Sequence, residues 1–151
     1  MQICAISVLY QPDIEQFLRQ QTALLESVCW RLWVDNAPHN SQLAGLAQQF
    51  EASYLPLGQN FGIATAQNQG ILWARQQGAS HVLLLDQDSI LAPSLVNELA
   101  RLLIQLQQIH VHSVIAPRYQ LQNLEVMRGF IGERTLPLAF SKFQNSLVQC
   151  D

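Results

Sequence analysis

Short apolar runs closed by turn residues recur along the chain, and stretches of helical periodicity separate them. Ile3 to Leu9 is the first such run, and apolar residues without polar alternation predict a strand buried on both faces of a parallel sheet. Asp13 can cap the helix that follows, with Ile14, Phe17, Leu18, Leu25 and Val28 on one face and Glu15, Gln16, Arg19 and Gln20 on the other, ending near Ser27. Val28 to Val34 predicts a second strand, Asp35 to Asn40 a polar loop, and Ser41 to Phe50 a short helix. Ser53 to Leu57 predicts a third strand, which Pro56 restricts to an edge or to the strand's end, and Gly58 to Gly62 a turn.

From Ile63 to Gln77 the small residues Ala64, Ala66, Gly70 and Ala74 share a predicted helix with Ile71 and Leu72, which allows close approach to a sheet, and Gly78 suits its C-terminal end. His81 to Leu85 is the strongest central-strand signal, and it stops abruptly at Asp86-Gln87-Asp88-Ser89. Pro93 then opens a helix with the stripe Leu95, Val96, Leu99, Leu102, Leu103 and Leu106, and Val111 to Ala116 reads as a fifth strand. The order βαβαβαβαβ predicts a three-layer α/β/α fold around a mostly parallel sheet, whose ligands bind at the carboxyl ends of the strands. The periodicity fades after Pro117, so residues 1–119 form the expected α/β region and residues 120–151 an irregular tail. The glutamines are dispersed and read as compositional preference.

Composition narrows the partners. The 151 residues carry a net charge of -3 with only 13% charged side chains, which leaves no excess of Lys and Arg for a polyphosphate backbone and disfavours nucleic acid. A ligand with a diphosphate then needs its positive charge from a cation held by carboxylates. Cys4, Cys29 and Cys150 fit neither a disulfide framework nor a zinc pattern, and Cys4 and Cys29 read as small core residues. The first residues lack a basic leader, and no apolar stretch is long enough to span a bilayer, so a cytoplasmic chain is expected, with peripheral membrane contact left open.

Two aspartates two positions apart at the end of a strand can share one hard divalent cation, so Asp86 and Asp88 are candidate ligands for Mg2+ or Mn2+. The competing reading is that one of them caps the turn before the helix at Pro93. Asp35 also closes a strand, which a parallel sheet brings to the same edge, although Asp-Asn-x-Pro is good Asx-turn chemistry by itself. Asn60 to Gly70 joins a turn to a helix start suited to polar or anionic ligands, without the G-x-G-x-x-G spacing of a dinucleotide site. His110 and His112 form an H-x-H pair with no further ligands nearby, and His39 and His81 stand alone.

Four spaced blocks carry a family resemblance: Cys4 to Asp13, Val34-Asp35-Asn36, Asn60 to Ala64 with Ala66 to Ile71, and Leu84 to Ser89. Ile115 to Tyr119 is a fainter fifth, so the blocks cover about residues 3 to 119. In this order they resemble glycosyltransferase family 2, and within it the rhamnosyltransferase-like enzymes. The resemblance implies a GT-A fold in which Tyr10 and Asp35 contact the nucleoside, Gln67 and Asn68 lie beside it, and Asp86 and Asp88 serve the sugar nucleotide and metal, Asp88 foremost as metal ligand. It further implies an inverting transfer from dTDP-rhamnose or a UDP-sugar to a saccharide or lipid-linked acceptor, in polysaccharide biosynthesis.

The chain departs from that pattern where such enzymes continue into an acceptor half, and Leu147 to Asp151 reads as the start of a strand leading there, so a truncated form is expected. Glu125 and Glu133 lie in no recognisable block, and the catalytic base stays unassigned. A remnant that binds nucleotide without turnover is one alternative. A phosphatase of the haloacid dehalogenase type is another, since Asp86-Gln87-Asp88-Ser89 after an apolar strand also resembles that nucleophile motif; its required lysine could only be Lys142, and no second acidic pair follows it.

Overall fold

Continuous apolar runs become strands here because both faces of the sheet are covered by helices. The computed structural model describes residues 1–38, 41–108, 115 and 147–149. Its elements are β1 (Ile3–Leu9), α1 (Ile14–Ala23), β2 (Trp30–Asp35), α2 (Ser41–Gln49), β3 (Ser53–Pro56), α3 (Ile63–Gln76), β4 (His81–Asp86), α4 (Leu95–Gln108) and β5 (Leu147–Gln149). They form one sheet of order β3-β2-β1-β4-β5. The first four strands in sequence pair in parallel, and β5 runs antiparallel to β4. Pro56 ends β3, an edge strand, as its missing N–H requires.

The period-two alternation of the strands divides the core. Ile3 and Ala5 of β1 and Leu83 and Leu85 of β4 meet Val96, Leu99 and Leu103 of α4, while Leu9 and Trp33 meet Phe17 of α1 and Leu43 and Ala47 of α2. Cys4, Ile6, Leu32, Val34, Val82 and Leu84 point the other way, onto Ala66 and Ala74 of α3. Three helices therefore cover one face and α3 the other, the three-layer arrangement expected. Phe17 anchors α1 by an edge-on contact to Trp33, ring centroids 4.8 Å apart.

Several elements differ from the sequence expectation. α1 stops at Ala23 and leaves Leu25 about half exposed, because the chain must turn before β2. Cys29 is exposed in that connection, whereas Cys4 is buried as expected. The outer side of α3 carries Ala64 and Leu72, whereas Ala66, Gly70 and Ala74 are buried against the sheet and Ile71 and Trp73 pack half-buried on the same cluster. Leu102 of α4 also faces outward. α4 begins at Leu95, so neither Asp86 nor Asp88 caps it. The expected strand Val111 to Ala116 lies outside the described residues except for Ile115, which packs against the α4 cluster. The strand seen beside β4 is β5 instead. Among the described residues no helix is long and apolar enough to cross a membrane.

Candidate functional site

The sheet order creates the site. From β1 the chain steps outward to β2 and β3, then returns across the opposite face through α3 to place β4 on the other side of β1. The order of succession reverses between β1 and β4, and the carboxyl ends of two such strands leave a crevice between the loops that depart from them. Tyr10 follows β1 and Asp86 closes β4, with Val8 opposite Asp86 in the register. Leu9 lies opposite Asp35 on the other side. Tyr10, Asp35 and Asp86 therefore share one edge, as expected.

The two loops at the crevice are joined directly. The Tyr10 backbone N–H donates to Gln87 Oε1 at 2.8 Å, and Gln87 Nε2 donates back to the Tyr10 carbonyl at 3.2 Å. This leaves the Tyr10 ring half exposed at the edge. Asp86 is half-buried and Asp88 is exposed. Burial, and then repulsion from Asp88, push the Asp86 carboxyl up to about 6. Two carboxylates near enough to repel form a hard-oxygen donor pair, which fits the habit of Mg2+ of binding through one or two carboxylates plus substrate phosphates. A cation between them would relieve that repulsion.

Asp35 closes β2 as expected, but it is the strand's last residue and fully buried, not the opening of the polar loop. Its Oδ2 accepts the Tyr54 hydroxyl, while Oδ1 is buried without a hydrogen-bond partner among the described residues. Neither oxygen makes the bond to following backbone that an Asx-turn requires. A buried acceptor left unsatisfied costs roughly 1–3 kcal/mol, which a donor from a ligand would remove. Gln67 is half-buried and Asn68 exposed, both near the start of α3.

Two asparagines to which the sequence reading gave no role hold the approach to α3. Asn36 Oδ1 accepts the Phe61 N–H at 2.9 Å, and its Nδ2 donates to Asn60 Oδ1 at 3.1 Å. Asn60 Oδ1 also accepts the Gly62 N–H at 2.9 Å. Gly62 has φ of 82°, a conformation that favours glycine, and caps α3 without help from a side chain of its own. Both asparagines stand in family blocks of the sequence, the one signal that could have found them.

The glutamines also require correction, since several are structural members of the site. Gln20 and Gln21, on the face expected to be solvated or next to it, are buried. Gln20 Nε2 donates to the carbonyls of Asp86 and Ser89, at 2.6 and 3.0 Å. Gln16 Nε2 donates to the Asp88 carbonyl at 2.6 Å. His81 begins β4, at the opposite edge of the sheet. His39, His110, His112, Glu125, Glu133 and Lys142 lie outside the described residues.

Comparison with known proteins bears on the family and the fold. The family model described as Glycosyl transferase family 2 matches residues 31–146. The dTDP-rhamnosyl transferase RfbF of Shigella flexneri is 33% identical over 98 residues, which span 65% of this chain and 33% of that protein. Two crystal structures of S. aureus TarS match 99% of this chain, with TM-scores of 0.68 and 0.69 at 13% and 12% identity, and this accounts for 47% and 28% of those chains. The chain thus spans half or less of the relatives it matches, and the structural likeness speaks for the GT-A-like fold alone.

Proposed function

Because the chain belongs to glycosyl transferase family 2, we propose that the crevice between β1 and β4 holds a nucleotide-diphosphate sugar for transfer, in a rhamnosyltransferase-like enzyme. The observation that carries this reading is the pair Asp86 and Asp88 at the end of β4, close enough for one charge to disfavour the other, at the point where the strand order reverses. The similar dTDP-rhamnosyl transferase points to dTDP-rhamnose as donor, with a UDP-sugar as the second choice.

In this reading Asp35 Oδ1 and the exposed Tyr10 ring receive the nucleoside, with Gln67 and Asn68 beside it at the start of α3. Asp86 and Asp88 would hold Mg2+ or Mn2+ for the diphosphate. The ion, when bound, supplies the charge that offsets the departing diphosphate. The acceptor, a saccharide or lipid-linked sugar, attacks the anomeric carbon from the face opposite the diphosphate and inverts it, while a carboxylate takes the hydroxyl proton. Three carboxylates near the helix starts are otherwise engaged, for Asp13 caps α1, Glu15 pairs with Arg19 and Glu98 accepts from Ser94. The base is therefore assigned to none of them, and residues 1–119 are read as the donor-binding part of a larger enzyme. The same reading places the work in the cytoplasm, at the inner face of the membrane where the acceptor is lipid-linked.

Calorimetry with dTDP and with UDP, each with and without Mn2+, tests the reading. Saturable binding that Mn2+ strengthens is expected for at least one nucleotide; no binding of either would overturn it. The pH dependence is a second expected result. Asp86 must be ionised to bind the cation and is pushed up to about 6 without it, so Mn2+ affinity should fall as pH drops through 6. Manganese titrations at about pH 7.5 and about pH 5, where an ordinary aspartate is still ionised, check this; equal affinities would argue against Asp86 as a ligand.

A further inference from the structure

The Asp86–Ser89 turn is held less by its own backbone than by helix α1. Its internal bond, Ser89 N–H to the Asp86 carbonyl, is long at 3.4 Å. The same carbonyl oxygen accepts Gln20 Nε2 at 2.6 Å, and that amide also reaches the Ser89 carbonyl at 3.0 Å. Gln16, one helical turn earlier, takes the Asp88 carbonyl at 2.6 Å. Three of the four carbonyls in this turn thus accept side-chain amides from one helix, two of them at distances just short of the usual N–H···O range and one within it.

The Gln20 amide is itself oriented from the core. Its Oε1 accepts Gln21 Nε2 at 3.1 Å and faces the Ser7 hydroxyl at 3.5 Å, while Gln21 Oε1 accepts Trp33 Nε1 at 2.8 Å. The indole can only donate, so each amide in the series has one permitted orientation, and Gln20 ends with both N–H groups aimed at the turn. A polar cluster serving only to satisfy the core would close on itself; this one terminates on the loop that carries the two carboxylates.

We propose that Gln16 and Gln20 are positioning residues that hold the Asp86–Ser89 turn in the conformation in which Asp86 and Asp88 bind a divalent cation and, through it, a nucleotide diphosphate. The inference rests on the nucleotide-site reading above. Neither glutamine touches the ion; each acts on the backbone that presents the carboxylates, and loss of such outer support typically costs about 10–100-fold in metal affinity.

The test uses Gln16→Met and Gln20→Met, which keep length and bulk but remove the donors. Three quantities are read: Mn2+ affinity by paramagnetic resonance of the free ion, Mn2+-supported binding of dTDP or UDP by calorimetry, and binding of the matching nucleoside by ligand-observed NMR. Each variant should lose at least about tenfold in the first two and far less in the third, because Asp35, Gln67 and Asn68 lie on β2 and α3 and Tyr10 alone among the nucleoside contacts adjoins the turn, through Gln87. Folded variants with unchanged Mn2+ affinity would overturn the proposal, and so would a parallel loss of nucleoside binding, the mark of a merely structural role. Gln16 is only half-buried, so Gln16→Met decides the matter should Gln20→Met fail to fold. A wild-type chain that binds neither Mn2+ nor nucleotide refutes the site reading itself, and the proposal with it, whereas wild-type binding retained in both variants refutes the proposal alone.

Discussion

Asp88→Asn should abolish Mn2+-supported nucleotide diphosphate binding, with a loss of at least about 100-fold, the upper end of what removing even an outer partner of a metal ligand costs. Asp86→Asn should do the same to binding, yet the two variants should differ in the metal-free protein. The folded-state value of Asp86 lies above its unfolded value, so ionising this carboxyl costs the fold stability. That contribution is favourable below the unfolded value near 4 and is lost as pH rises through about 6. Asparagine cannot ionise, and Asp86→Asn should therefore raise the melting temperature of the metal-free chain at neutral pH while destroying the site. Asp88→Asn should raise it too, by less, because it removes only the repulsion and leaves the burial, the larger cause. Thermal melts with and without Mn2+ would check both signs: wild type gains stability from the ion, and neither variant does. A melting temperature that falls in Asp86→Asn without metal would show that this carboxylate serves the fold and not a ligand.

Gly70→Val should cost the protein about 3 kcal/mol or more, the top of the range for overpacking a filled core. A Cβ at this position would lie 2.6 Å from Ile6 Cγ2, 3.3 Å from Val34 Cγ2 and 3.4 Å from Ile6 Cδ1. Ile6 and Val34 are fully buried in β1 and β2, and Cγ2 sits one bond from Cβ, so it cannot swing away as the end of a long side chain would. Gly70→Ala is the informative control, since alanine improves helix propensity by about 1 kcal/mol over glycine while introducing the same first clash. The clash is the larger effect, so a net loss is expected there as well, smaller than for valine. Urea denaturation measures both, and a stabilised Gly70→Ala would mean that α3 can ride outward at little expense. Function is tied to the same contact: the close approach at Gly70 sets the height of α3 above the sheet, and Gln67 and Asn68 stand one turn away at the carboxyl edge.

The parts of this molecule legible from the sequence are those governed by local rules. An apolar run such as His81 to Leu85 ending in charge marks a central strand and its carboxyl end, because only a strand covered on both faces tolerates such a run. Asp13 as helix cap, Pro56 at the sheet edge and a close approach of α3 through its small residues followed in the same way from the chemistry of single residue types, although only the fold singles out Gly70 among them. The separated blocks around Asp35, Asn60 and Asp86 carried the family. Burial of individual side chains was less legible. Leu72 and Leu102 fit the helical periods yet face outward, because a helix stripe is wider than the surface it happens to meet, and Leu25 is exposed because α1 stops at Ala23. Cys29 lies in an apolar stretch but falls in a turn.

What the sequence determined by itself is the first four strands and the four helices, the family, and the identity of the acidic residues at strand ends, since these depend on neighbours along the chain. The placing of β4 beside β1, which makes Tyr10 and Asp86 the two sides of one crevice, was decided only by the tertiary structure, as no local pattern states which strands pair. The roles of Gln16, Gln20 and Gln87 were decided there too. A glutamine has the same helix propensity and polarity whether it meets water or a carbonyl, and only the fold brings these three amides to partners 66 to 77 residues away along the chain.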